Sequence, residues 1–268
     1  MSSRGGYVMH LGQVPYGEAW DLQRSLAGAV SQGAIPDTVL FLEHPPVVTL
    51  GRRTDESAEL HLPEDAQVEI VETNRGGKST FHGPGQLVCY PILDLKRHGR
   101  DVKQYVRNLE EALVQTVAPF GLEGQRLEGL TGVWLTSPPR KLASIGVHVS
   151  RWVTTHGYAL NVDLDPAPFT DWITACGLED ATFTTIARET GRPVTVDEVR
   201  PHAVAAIEEV FGLELDELPA DGESASGRSP CTASSPRAES ERRGVAPLDW
   251  LRWRRRCPSR SVLGDPNG

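Results

Sequence analysis

Arg75-Gly76-Gly77-Lys78-Ser79-Thr80-Phe81-His82-Gly83-Pro84-Gly85-Gln86 stands between two strand-like runs, Val68-Glu69-Ile70-Val71-Glu72 and Leu87-Val88-Cys89-Tyr90-Pro91-Ile92. A two-residue turn is enough to join neighbouring strands, so four glycines and a proline exceed what chain reversal needs. Two readings stand: an irregular surface loop, or a backbone that comes close to a ligand, since glycine permits φ > 0 and close approach. Arg75, Lys78 and His82 add two cations and a titratable ring. A nucleotide P-loop is excluded. Gly77-Lys78-Ser79 resembles the end of G-x-x-x-x-G-K-[ST], but the first glycine would fall at Glu72, whose carboxylate repels phosphate, and no matching helix follows.

Upstream, Gly17 to Val30 has the apolar spacing of an amphipathic helix through Ala19, Leu22, Leu26 and Ala29. Thr38-Val39-Leu40-Phe41-Leu42 is a short apolar run typical of a buried strand, and His44-Pro45-Pro46 ends it, leaving His44 a structural turn residue. Val47-Val48-Thr49-Leu50 resumes as a strand and closes at Gly51-Arg52-Arg53. Downstream, Asp101 is an N-cap with Gln104 in capping-box position. The helix it opens has one stripe, Tyr105, Leu109, Leu113 and Val117, and stops at Pro119 and Gly121.

Gly132-Val133-Trp134-Leu135 reads as a strand, and Lys141 opens another. In the latter Ala143, Ile145, Val147 and Val149 alternate with Ser144, Gly146, His148 and Ser150, the period of a strand with two unlike faces. Gly157-Tyr158-Ala159-Leu160-Asn161-Val162 again leaves space on one face. The small residues either wall a narrow channel for a thin ligand or permit close packing against a helix. Cys176 falls at a helix end before Gly177; a lone cysteine acts as an inert small hydrophobe unless a cation beside it favours the thiolate. Thr195-Val196-Asp197-Glu198 caps a helix through Phe211, in which Pro201 demands a late start or a kink.

The 268 residues, 39% hydrophobic and 24% charged, describe an ordinary globular chain with no run long enough to span a membrane. The N-terminus has no apolar leader segment, so a cytoplasmic location is expected. Cys89, Cys176, Cys231 and Cys257 form no C-x-x-C pair, which argues against a zinc site or disulfide framework and fits a reducing compartment. Charge is uneven: nine Arg against six Asp or Glu make the chain from Asp221 onward net +3, leaving −12 on the preceding 220 residues out of a total of −9. Such a body is a poor nucleic-acid binder. Past Leu218 the composition turns to Ser, Gly, Pro, Glu and Arg, so 1–218 is expected as one domain and 219–268 as a disordered tail. Asp249 to Arg260 is basic and aromatic, and reads as a solvated tail rather than a contact for RNA or an anionic surface.

The ordered series Leu42-Glu43-His44-Pro45-Pro46-Val47-Val48-Thr49-Leu50-Gly51-Arg52, Arg75-Gly76-Gly77, His82-Gly83-Pro84-Gly85-Gln86-Leu87-Val88, Gly132-Val133-Trp134, Lys141, Ser144-Ile145-Gly146-Val147, His156-Gly157-Tyr158-Ala159-Leu160-Asn161 and Cys176-Gly177 resembles the lipoyl(octanoyl) transferase family. It covers roughly residues 7 to 215. No single piece decides the matter; the series is specific.

The resemblance implies an α+β fold shared with biotin and lipoate protein ligases, a mixed β-sheet core flanked by helices. It implies transfer of octanoyl from octanoyl-acyl carrier protein to a lysine ε-amine of lipoyl domains in 2-oxoacid dehydrogenase complexes and glycine cleavage H protein. No cofactor or metal is implied, nor a nucleic-acid or membrane partner, and a monomer is expected. Family members form an acyl thioester on the cysteine matching Cys176, while the lysine matching Lys141 lowers that thiol's pKa and handles protons. Substrate contacts are implied at Arg75, Gly76, Gly77, Lys78, Ser79, Thr80, Phe81 and His82. They are also implied at Ser144, Ile145 and Gly146, and at Gly157, Tyr158 and Ala159.

Both protein partners are acidic in this family, so Arg52, Arg53, Arg75, Lys78, Arg140, Lys141 and Arg151 are expected to form a local docking patch. Two departures stand out: Ala175 replaces a common proline before the cysteine, and Phe81 a common tyrosine. An ATP-dependent lipoate ligase of the same fold, which needs neither Cys176 nor acyl carrier protein, and a non-catalytic acyl-binding protein are the competing readings.

Overall fold

In chain order the protein forms β1 (Arg4–Gln13), α1 (Tyr16–Ser31), β2 (Thr38–Glu43), β3 (Val47–Leu50), β4 (Glu69–Glu72), β5 (Thr80–His82) and β6 (Gln86–Ile92). Then come α2 (Val102–Val117), β7 (Gln125–Leu127), β8 (Leu130–Leu135), β9 (Arg140–Ser150) and β10 (Val153–Asn161). The last are α3 (Pro168–Asp171), β11 (Thr182–Phe183), α4 (Ile186–Thr190), α5 (Val196–Phe211) and β12 (Leu213–Glu217). The structure is a computed structural model and describes residues 4–55, 60–63, 66–173 and 182–218. The helix-end position of Cys176 and the disordered tail over 219–268 lie outside the described residues.

Nine strands make a mixed sheet in the order β12-β1-β2-β6-β10-β9-β8-β7, with β11 beside β9. β12, β1 and β2 are parallel, and every later neighbour pair along that path is antiparallel. β6 and β10 lie at the centre, both buried along their whole length, β10 with Thr154, His156 and Asn161 as buried polar groups. Leu109, Leu113 and Val117 of α2 and Val199, Ala203 and Ile207 of α5 form the main core with Leu87, Cys89 and Leu160. α1 lies against β6 and β10. This is the expected mixed sheet with flanking helices.

The caps act largely as their residues dictate. The Asp101 carboxylate accepts from the Gln104 N–H at 3.0 Å, but the Gln104 side chain turns to Asn108 at 2.8 Å, so the box is one-sided. Thr195 accepts from the Glu198 N–H at 3.2 Å, and Gly212 ends α5 in the left-handed region. α5 begins at Val196, directly after its cap, and runs through Pro201 rather than starting late.

The glycine-rich stretch is not one loop. β5 divides it and joins a second sheet of order β4-β3-β5, pairing antiparallel to β3 through Val48↔Phe81 and Thr49↔Thr80. Because strand side chains alternate, Thr80 and His82 face one way and Phe81 the other. Phe81 packs edge-on to Phe169 and Trp172 in a smaller core with Val48, Leu50 and Ile173.

Candidate active site

Arg75 fixes the turn that precedes β5. It is only 6% exposed, and its guanidinium donates to the Thr49 carbonyl at 2.6 Å, the Thr49 hydroxyl at 2.8 Å, and the Gly76 and Lys78 carbonyls at 3.1 and 2.7 Å. A planar five-donor fork spreads its donors over three nitrogens and so reaches carbonyls farther apart than a single ammonium nitrogen serves. The Gly76 N–H donates to Val147 of β9 at 2.9 Å, and the Arg53 N–H to Gly77 at 3.1 Å. Gly77 has φ +90, and a Cβ on the facing Gly51 would stand 2.4 Å from the Gly77 carbonyl. The turn is thereby fastened over β9, and these two glycines serve backbone contact.

The strand register resolves the two readings of the small residues. Gly146 pairs with Gly157 and Ser144 with Ala159, and all four border the slot, while Gly157 also admits β6, since a Cβ there would stand 2.1 Å from the Cys89 carbonyl. The Arg75 turn covers Gly146: a Cβ on it would come within 3.0 Å of Arg75 Cδ and the Gly76 carbonyl. Below the turn remains a cavity of about 70 Å³, lined by Arg75, Gly77, Lys78, Ser79, Thr80, His82, Ser144, Ile145, Gly146, Gly157, Tyr158 and Ala159, with Lys141 at its edge. Among the described residues a slot remains between the strands and the turn. Two expected contacts fall elsewhere. Gly76 lines the groove described below, and Phe81 points into the smaller core because β5 alternates.

The sequence reading gave no site role to Tyr16, Tyr90 and His156, which also line the cavity. With His44 and His82 they make a buried aromatic cluster: Tyr16 lies 5.0 Å from His44 and 5.9 Å from His82 by ring centroids. His44 donates from Nδ1 to the Val14 carbonyl at 2.7 Å and accepts from the Tyr90 hydroxyl at 2.8 Å, the structural role expected of it. His156 donates from Nε2 to Asn74 Oδ1 at 2.7 Å and accepts from Tyr16 at 3.3 Å, holding a backbone φ of 56°. Burial pushes His44 down to about 4 and His156 to about 3, and lowers His82 well below the usual histidine value. All three rings are neutral near pH 7.

A directed chain of hydrogen bonds supports this floor. Arg75 donates to the Thr49 hydroxyl, which lies 3.4 Å from His82 Nε2. His82 Nδ1 donates to Gln86 Oε1 at 2.7 Å, Gln86 Nε2 to Asn161 Oδ1 at 3.0 Å, and Asn161 Nδ2 to the Thr184 carbonyl at 3.1 Å.

Lys141, the second residue of β9, is 3% exposed. Its backbone pairs with Trp134 of β8 on one side and Phe183 of β11 on the other. On the far side of the Gly76–Lys78 turn Lys141 also borders a groove of about 400 Å³, whose other walls include Arg53, Val106, Leu130, Trp134 and Val147. Cys176 lies outside the described residues. Cys89 is fully buried in β6, and burial drives its thiol pKa up, which suits a core residue. The expected docking patch is smaller than the sequence suggests. Arg75 and Lys141 are buried, and Arg140 pairs with both Glu189 oxygens at 2.7 and 2.9 Å, leaving Arg52, Arg53 and Arg151 exposed and Lys78 half-buried.

Fold and site define a class. Residues 15–208 match the lipoyl protein ligase A/B catalytic domain, and the chain belongs to that family. It is an acyltransferase. An octanoyltransferase from Mycobacterium tuberculosis is 53% identical over 202 residues, 75% of this chain and 84% of that protein. One from Chloroflexus aurantiacus is 47% identical over 211 residues, covering 77% and 94% of the two chains. One from Geobacter sulfurreducens is 46% identical over 241 residues, covering 90% and 98%. Among solved structures, the bi-partite lipoate protein ligase of Thermoplasma acidophilum superposes with a TM-score of 0.63 at 16% identity, over 81% of this chain and 88% of that one. At that identity the likeness speaks for the fold. Among the described residues no helix is long and apolar enough to cross a membrane.

Proposed function

We propose that the protein moves an octanoyl group from octanoyl-acyl carrier protein to a lysine ε-amine of a lipoyl domain, through a thioester on Cys176. The placement of Lys141 carries this reading: it is buried where cavity and groove meet, and the chain returns beside it at Phe183, seven residues after Cys176. A fixed ammonium favours a nearby thiolate, lowering a thiol pKa that starts near ~8.5.

In the first step the Cys176 thiolate attacks the donor carbonyl, the bond to the carrier sulfur breaks, and Lys141 gives its proton to the departing thiolate. In the second, the neutral acceptor amine attacks the Cys176 thioester. Lys141 takes the proton released as the amide forms, and Cys176 leaves as thiolate. Thioester exchange is close to neutral in free energy, and formation of the amide draws the sequence forward.

The acyl chain occupies the cavity below the Arg75 turn. From Ser144 to Val147, the residue facing His156, β9 rises about 10 Å, the scale of an extended eight-carbon chain. The lining also includes Tyr16, Tyr90, His82 and His156, whose polar atoms disfavour further methylenes.

The test is incubation with octanoyl-acyl carrier protein without ATP, followed by intact mass. The expected result is an octanoyl adduct that disappears in Cys176→Ser, with slower loading from a dodecanoyl donor. A requirement for ATP would move the assignment to a ligase, and ligand retained without an adduct would reduce it to binding.

A further inference from the structure

The transfer reading leaves open what holds the Lys141 ammonium where it is needed, and β8 supplies an answer. Trp134 faces Lys141 directly across the β8–β9 ladder, and Lys141 Nζ lies over its ring, 5.1 Å from the centroid. Both residues are nearly fully buried. Two residues earlier on the strand, Gly132 makes room for the lysine stem: a Cβ there would stand 3.1 Å from Lys141 Cε and 2.4 Å from the Ala143 carbonyl. Gly132 holds φ +119, accessible to glycine, and its N–H is tied to the buried Glu110 carboxylate of α2 at 3.2 Å. The aliphatic stem thus lies over a bare backbone and the charged end over an aromatic face.

The aromatic face carries negative potential, and burial removes the water that would compete for the cation. Leucine removes that potential together with part of the ring's volume, whereas phenylalanine and tyrosine keep an aromatic face. We infer that Trp134 is a positioning residue for Lys141, its ring face holding the ammonium in place so that the lysine acts on the reactive thiol. This rests on the Cys176 transfer reading.

Other charged and titratable groups surround Lys141. Arg53, Arg75 and Lys78 share its two cavities as cations. His82 and Tyr158 are kept neutral by burial, Arg140 and Glu189 satisfy each other, and Glu110 faces Gly132.

The experiment uses the full chain with Cys231 and Cys257 changed to serine; Cys89, fully buried, does not report. Cys176 acylation by octanoyl-acyl carrier protein is followed by intact mass from pH 5 to 9 for wild type, Trp134→Tyr, Trp134→Phe and Trp134→Leu, alongside thermal melts. The rising limb of the profile, set by the Cys176 thiol, should move up by about half a unit to one unit in Trp134→Leu, and by less in Trp134→Phe and Trp134→Tyr. Val133→Ala, a core truncation in the same strand, should lower the melting temperature and leave the limb in place. Should Trp134→Leu fail to fold, the aromatic pair still carries the graded comparison. A loaded wild type with identical limbs throughout the series overturns the role of Trp134 alone. No adduct on wild type overturns the transfer reading instead.

Discussion

Arg75→Lys separates a structural clamp from a substrate contact. The substitution keeps the charge, but one nitrogen cannot reach the Thr49 carbonyl and the Lys78 carbonyl together, now held at 2.6 and 2.7 Å by different arms of the fork. Charge-assisted hydrogen bonds contribute about 1.5–3 kcal/mol each. Losing two gives about 3–6 kcal/mol, and the half-buried side of the turn can recruit water, so a loss near 3 kcal/mol is expected. For a domain of this size each kcal/mol moves Tm by about 2–4 °C, a drop of roughly 6–12 °C. The assay pairs thermal melts with kcat and KM for octanoyl-acyl carrier protein. Combining Arg75→Lys with Thr49→Val should cost less than the sum of the two, since they share bonds. A wild-type Tm with only a raised KM would refute the clamp and make Arg75 a direct substrate ligand.

Three further outcomes are expected. His44, His82 and His156 have folded pKa values depressed below the unfolded value near 6.5. The unfolded chain therefore binds more protons between about pH 6.5 and 4, and stability falls as pH falls through that window. Urea midpoints should decline from pH 6.5 to 5, where few carboxylates titrate, and a flat midpoint would contradict the neutral cluster. Phe81→Tyr should leave kcat and KM for the donor within about twofold, because the ring faces the smaller core; a large KM change would place it back at the cavity. Arg53→Glu should lower kcat/KM for the acidic carrier severalfold at low salt and flatten its salt dependence, whereas kinetics unchanged at every ionic strength would remove Arg53 from docking.

The legible parts of this chain are those whose signal is local. α2 and α5 announce themselves by a cap, a stripe and a stop, and β9 by alternation from Lys141 to Ser150. β5 is three residues long inside a glycine-rich stretch, too short for any period to show. Missing it also misplaced Phe81, since treating Arg75 to His82 as one lining ignores the reversal of every second side chain. β1 and β12 escaped because parallel pairing of distant segments leaves no mark between them. Tyr16, Tyr90 and His156 come from three separate elements, and only packing brings their rings together. Arg75 was visible as a cation, but not the carbonyls that consume it.

The chain of bonds from Arg75 through Thr49, His82, Gln86 and Asn161 to Thr184 has a polarity, with His82, Gln86 and Asn161 each accepting from one side and donating to the other. Its members are therefore not independently mutable. Reversing or removing one leaves two donors or two acceptors facing each other among buried groups. Across variant libraries, substitutions at 49, 82, 86 and 161 should be accepted as matched sets and rejected one at a time, so this part of the protein evolves as a single character spelled by four distant codons.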